Sequence, residues 1–172
     1  MSDNPGPPSA RGREPIGPGQ ESVWDYPRPP RLEPVQDLVE ITFGGVRIAS
    51  TRRALRVLET SHPPSYYLPP DAFVPGSLRP ASGRSVCEWK GTASYLDVVG
   101  GDRVASRAGW TYRHPTPAFS ELADHVAVYP AAMDACTVAG EVVRPQPGGF
   151  YGGWITDRVV GPFKGAPGTE FW

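Results

Sequence analysis

Three side chains able to attack an electrophile or move a proton, Glu59, Cys87 and Lys90, fall within two short aromatic stretches, "RVLETSHPPSYYLP" and "CEWKGTASY". A thiol three residues from an ammonium is the kind of group whose proton can be drawn off to give a nucleophile, and a carboxylate can tune either partner. Tyr67, Tyr95, Trp110 and Tyr112 come from these stretches and from "AGWTYRHP". Aromatic walls around a few polar groups are how small-molecule sites are commonly built. Two chemistries are therefore open. The first is a small-molecule-binding domain in which Tyr67, Tyr95, Trp110 and Tyr112 stack a planar or cationic guest and Glu59 and Lys90 hold its polar edge. The second is an enzyme, of transferase or hydrolase type, using Glu59, Cys87 or Lys90. Against both stands the ordinary role of each residue type: aromatics on strands are mostly core, a glutamate at a strand end is mostly solvated, and an isolated cysteine is mostly a buried apolar thiol.

Arginine outnumbers lysine 15 to 2, so Lys90 and Lys164 stand where arginine was readily supplied. An ammonium that can lose its proton differs in chemistry from a planar, permanently charged guanidinium. Metal binding has little support, because Cys87, Cys136, His62, His114 and His125 form no locally spaced pair, and no metal or other cofactor is expected. There is no G-x-S-x-G elbow, no P-loop and no dinucleotide fingerprint.

These side chains need a scaffold, and its outline is β. Runs with a period of two or β-rich composition recur at 37–43, 46–50, 55–60, 65–68, 93–99, 103–112, 125–129, 135–140 and 141–144. Gly44-Gly45, Gly100-Gly101 and Gly140-Glu141 are two-residue hairpin signals, so the flanking strands pair antiparallel. One short helix fits "TPAFSELAD", with Thr116 as its cap and Pro117 at its first position. The expected fold is all-β, a barrel, sandwich or open two-sheet arrangement of short antiparallel strands. Within "CEWKGTASY" an unbroken strand would put Cys87, Trp89, Ala93 and Tyr95 on one face and Lys90 on the other, whereas a bulge at Gly91 would reset that parity.

The chain of 172 residues fits one core with extensions. Residues 1–20 read as disordered, 21–36 as a Pro-rich arm anchored by Trp24 and Tyr26, 37–144 as the β-domain, and 145–172 as a Gly, Pro and aromatic extension packing on it. A net charge of −1 with interspersed signs offers no field for a nucleic-acid backbone or an anionic membrane. No apolar run approaches the roughly 20 residues of a membrane span, and no signal-peptide pattern opens the sequence. A cytoplasmic protein with reduced cysteines and a small-molecule partner is the expectation; oligomeric state has no signal.

The segments "ESVWDYPRPPRLEP", "FGGVRIASTRRALRVLETSHPPSYYLPP", "CEWKGTASYLDVV", "AGWTYRHPTPAF" and "GGWITDRVVGPFKGAPGT" together resemble the Domain of Unknown Function 427 family over roughly residues 21–172. Its motif falls on Glu59, Pro64, Tyr67, Pro69, Cys87, Lys90, Gly91, Tyr95, Trp110, Tyr112 and Pro115. The resemblance implies a β-tent-like domain, two antiparallel sheets meeting at an angle, similar to domains that bind zinc through four cysteines or hold ligands in an aromatic cage. This chain lacks those cysteines. The family is also labelled a predicted nucleotidyltransferase, yet the clustered carboxylates that would hold Mg²⁺ are not evident in the sequence.

Overall fold

Val39–Phe43 reads V-E-I-T-F, and Val39, Ile41 and Phe43 are buried while Glu40 and Thr42 are half-buried, the period-two signature of a strand with one face on a core. The same logic runs through most of the computed structural model, which describes residues 13–172. The strands are β1 (Glu21–Ser22), β2 (Arg31–Val35), β3 (Val39–Phe43), β4 (Val46–Thr51), β5 (Ala54–Leu58), β6 (Ser65–Tyr67), β7 (Leu78–Cys87), β8 (Gly91–Gly100), β9 (Arg103–Thr111), β10 (Val126–Val128), β11 (Ala135–Val138), β12 (Glu141–Val142), β13 (Arg144–Pro145), β14 (Trp154–Ile155) and β15 (Val159–Val160).

The protein is all-β, as its sequence indicates. Two four-stranded antiparallel sheets are ordered β10-β9-β8-β7 and β12-β11-β3-β4, and a three-stranded sheet is ordered β2-β5-β6. β13 and β14 form a small antiparallel pair, and β1 pairs with β15 in parallel. Beyond β6 the chain continues the sheet edge: Leu68 and Val126 exchange both backbone hydrogen bonds at 2.8 Å, which sets β6 beside β10. Residues far apart in the chain thereby share one surface.

The expected helix is a 3₁₀ segment, Pro117–Leu122, kinked at Phe119, and Thr116 does not cap it. The Thr116 hydroxyl instead donates to the Trp89 carbonyl at 2.6 Å. Two turns differ from expectation by one residue. Gly100 pairs with Arg103, so Gly101-Asp102 form that turn, and Val138 pairs with Glu141, so Ala139-Gly140 form the other. β7 has no sequence signal because it is an edge strand exposed along most of its length, with Pro80 tolerated there. Residues 31–35, read from their prolines as part of an arm, pair with β5 over five positions. Residues 13–20, expected to be disordered, are tied to the C-terminal segment: the Glu14 N–H donates to the Gly161 carbonyl, and Gln20 Nε2 donates to the Asp157 carbonyl. Residues 1–12, the rest of that expectation, lie outside the described residues.

Gly44 and Gly45 take φ of +63° and +75°, the left-handed pair of a two-residue hairpin turn. The tip of that hairpin meets the tip of the β8–β9 hairpin backbone to backbone, so that a methyl group on Gly100 would collide with the Phe43 carbonyl. Because Gly100 itself has no positive φ, Gly100→Ala tests the contact alone. It is expected to cost about 1–3 kcal/mol, read from urea unfolding; an unchanged midpoint would mean the two tips separate freely.

The alternation also divides the interior. Tyr66, Leu96 and Val128 belong to the main core, whereas Tyr67, Ala93 and Ala127, on the opposite faces of the same three strands, form a second cluster with Trp110 and Tyr112. No helix among the described residues is long and apolar enough to cross a membrane.

Candidate functional site

The second cluster is open on one side. A cavity of about 370 Å³ lies over it, walled by β5, β6, β8 and β9, by the β7–β8 turn and by the C-terminal segment. Glu59, Tyr67, Cys87, Lys90, Tyr95, Trp110 and Tyr112 all line it.

The parity question in "CEWKGTASY" resolves in a third way. Cys87 pairs with Gly91, so Glu88, Trp89 and Lys90 are the turn of the β7–β8 hairpin and not part of a strand. This turn is pinned from outside. The Thr116 hydroxyl holds the Trp89 carbonyl, and the Thr116 N–H donates to the Lys90 carbonyl at 3.0 Å. Lys90 is thus directed over the aromatic floor, its Nζ 5.6 Å from the Tyr112 ring centre and 5.9 Å from that of Tyr67. Both distances suit a cation held over ring faces.

Tyr67 is the centre of the floor and is fully buried. Its hydroxyl accepts a hydrogen bond from Trp110 Nε1 at 3.2 Å, and its ring lies 6.3 Å from Trp110 and 6.2 Å from Tyr112. Tyr95 is the register partner of Trp110 on the neighbouring strand. Burial is the strongest influence on Lys90 and works against its charge. The Tyr67 phenol, the Cys87 thiol, a hydrogen bond to Tyr67 and the Glu59 carboxylate outweigh it and hold the amine above the ordinary lysine range. Burial, with Tyr67 and Cys87 nearby, also raises the Tyr112 phenol, so it stays protonated at neutral pH.

Glu59 sits at a strand end, but it is not simply solvated. Its Oε2 lies 3.4 Å from Arg28 Nη2 and 3.5 Å from His62 Nε2. Glu59 and Lys90 form no ion pair; Glu59 acts on Lys90 only at longer range. Burial pushes His62 down to about 3, with Lys164, Arg28 and Lys90 adding to the effect. Its contact with Glu59 is therefore a polar contact of a neutral imidazole and not an ion pair.

The tautomer follows from Gln146. That amide accepts from the Gly153 N–H at 3.1 Å and donates to the Lys164 carbonyl at 2.8 Å, which fixes its orientation and makes its nitrogen the donor to His62 Nδ1 at 3.1 Å. Nε2 then carries the His62 hydrogen and faces Glu59.

Several lining residues were not singled out as site residues from the sequence: His62, Tyr129, Gln146, Phe150, Tyr151 and Lys164. The scarcity of lysine was the available signal for Lys164, and the "FYGGW" aromatics for Tyr151. Gly152 and Gly153 are close-approach positions: a methyl on Gly152 would collide with the Trp110 indole, and one on Gly153 would lie 2.6 Å from the Pro63 ring. Of the two thiols, Cys87 is half-buried at the cavity, while Cys136 is in the main core, where burial pushes it up to about 12. Among the described residues, no three His, Cys, Asp or Glu side chains are grouped to hold a metal ion.

A family model described as a domain of unknown function (DUF427), whose short name abbreviates NTP transferase, matches residues 31–139. No curated protein matches the chain. The matched span carries all seven candidate residues, while the Gln146–Lys164 wall lies beyond it.

Proposed function

This chain belongs to the Domain of Unknown Function 427 family, and we propose that it binds a small planar molecule in the aromatic cavity, with Lys90 and Glu59 at the polar edge. The observation that supports this reading is the convergence of four rings from three separate segments and an ammonium from a pinned turn on one opening of about 370 Å³. That volume falls in the usual range for small-molecule sites, roughly 300–1,000 Å³. A domain needing Trp110 and Tyr112 only for stability would gain nothing from leaving space above them. The partner is a small molecule and not nucleic acid or membrane, and the two free cysteines suit a cytoplasmic setting.

Catalysis by Cys87 or Lys90 is the second reading. Lys90 held as an ammonium would serve as a proton donor and not as an amine nucleophile. Nucleotidyl transfer is favoured by the family's short name, but among the described residues no carboxylate cluster stands ready for Mg²⁺.

A thermal-shift screen of planar metabolites tests the binding reading. A ligand at a hundred times its Kd adds about 2.7 kcal/mol of stability. The shift is expected to disappear in Tyr95→Ala and Lys90→Met and to persist in a variant distant from the cavity, such as Arg52→Ala. A ligand whose shift survives both cavity substitutions binds elsewhere, and the reading falls.

A further inference from the structure

The charges around the cavity are unevenly matched. On the outer surface arginines take the carboxylates: Arg56 bonds Glu21 and Glu33, each at 2.7 Å, and Arg158 bonds Asp37 at 2.6 Å. Around the cavity the pattern reverses. Among the described residues Lys90 has no carboxylate within ion-pair distance, while Lys164 gives one hydrogen to a main-chain oxygen of Trp172, the last residue, at 3.3 Å. The Arg107 guanidinium stacks 4.6 Å from the Tyr95 ring, outside the cavity lining, and has no acidic partner among the described residues. Of the two lining carboxylates, Glu59 is engaged by Arg28 and His62, and Glu88 is exposed on the turn. His62 contributes no compensating charge.

The Lys90 ammonium stands over the ring faces of Tyr67 and Tyr112 at the cavity with its charge unneutralised by any described carboxylate, so it is free to meet an anion. Resting on the binding function proposed above, we propose that the guest is a planar monoanion whose carboxylate meets the Lys90 ammonium, with Lys164 on the far wall adding to the attraction. A cationic guest, the other option for an aromatic cage, would meet like charge. A phosphate is disfavoured because the cavity lining itself holds two point-charge amines and no forked guanidinium or helix terminus, Arg107 standing outside it against Tyr95. The ligand class is therefore an aromatic carboxylic acid of one or two rings.

Cys87 is a built-in reporter of the potential in this cavity, and its readout needs no knowledge of the natural ligand. Alkylation by anionic iodoacetate and neutral iodoacetamide depends equally on the thiolate fraction, so the ratio of the two rates reports local charge alone. Relative to the free peptide Ser-Val-Cys-Glu-Trp, the full chain is expected to favour iodoacetate by roughly 3- to 10-fold, the effect of one ammonium a few ångströms away when the open cavity screens it nearly as water does. Lys90→Met should lower the ratio most of the way to the peptide value, Lys90→Arg should retain it, and Lys164→Met should lower it by a smaller step. Cys87→Ser supplies the blank, since Cys136 is buried.

Protection of Cys87 against iodoacetamide by 2-naphthoate and by 2-naphthamide completes the test. The acid is expected to protect at least tenfold better than the amide, and Lys90→Met should erase that difference. An iodoacetate preference equal to that of the peptide, or one unchanged in Lys90→Met, overturns the inference. Equal protection by acid and amide also overturns it, yet leaves a ring-binding cavity intact. An elevated ratio in a chain that no planar molecule protects or stabilises would retire the binding function while the anion preference stood.

Discussion

Trp154→Ala is expected to lower the unfolding free energy by about 3–5 kcal/mol, the largest effect of any single truncation in the C-terminal segment. Trp154 is 1 % exposed and lies in the main core, where its ring stacks on Tyr66 at 4.9 Å. Its Nε1 donates to the Val128 carbonyl at 3.3 Å and its backbone N–H to the Pro64 carbonyl at 2.8 Å. Removal of the indole leaves a cavity between β6, β10 and the tail that the surrounding strands can close only in part. The segment holding Gln146, Tyr151 and Lys164 against the pocket is anchored by this ring, so the loss should also weaken ligand-induced stabilisation. Urea unfolding of Trp154→Ala beside Trp154→Phe gives the measurement. A loss below about 1 kcal/mol would mean that residues 145–172 lie on the domain without contributing to its core.

That anchoring was the part of the fold least visible in the sequence. A stretch with Gly148, Gly149, Gly152 and Gly153 among prolines lacks periodicity, and a single tryptophan does not reveal what it packs against. The β-body was legible wherever one face of a strand is buried and the other is not, as in Val39–Phe43 and Gly91–Gly100. It was illegible in Leu78–Cys87, which is exposed on both faces and so carries no alternation. "CEWKG" misled for a related reason: Trp89 and Tyr95 have strand-forming side chains, but what makes 88–90 a turn is the Cys87–Gly91 pairing and the grip of Thr116, both contributed from outside the stretch.

The seven candidate side chains could be named because lysine is rare here and the rings recur at strand spacing. Their electrostatics could not be read in the same way. The partner of Glu59 is Arg28, 31 positions away and brought close by the pairing of β2 with β5. Among the described residues Lys90 is left without an acid for that reason.

The neutrality of His62 has a consequence for stability against pH. In the unfolded chain this imidazole takes up a proton near its ordinary value of about 6.5. In the folded chain burial and the charges of Lys164, Arg28 and Lys90 delay that uptake to about 3, and Nδ1 is already occupied by the Gln146 amide hydrogen. Between these values the unfolded state binds one proton more than the folded state, so stability falls as pH falls, by about 1.4 kcal/mol per pH unit. Above the unfolded value the group is neutral in both states and contributes no slope. His62→Gln keeps a donor toward Glu59 but cannot titrate. Against it the native chain should therefore lose roughly 3 kcal/mol more between pH 6.5 and pH 4, whatever the carboxylates common to both proteins contribute. Denaturant unfolding of the two chains at half-unit pH steps reads the difference directly. Parallel curves across that window would mean that His62 takes up its proton in the folded state, and with it the cavity would carry one more positive charge in acid than the geometry of Gln146 allows.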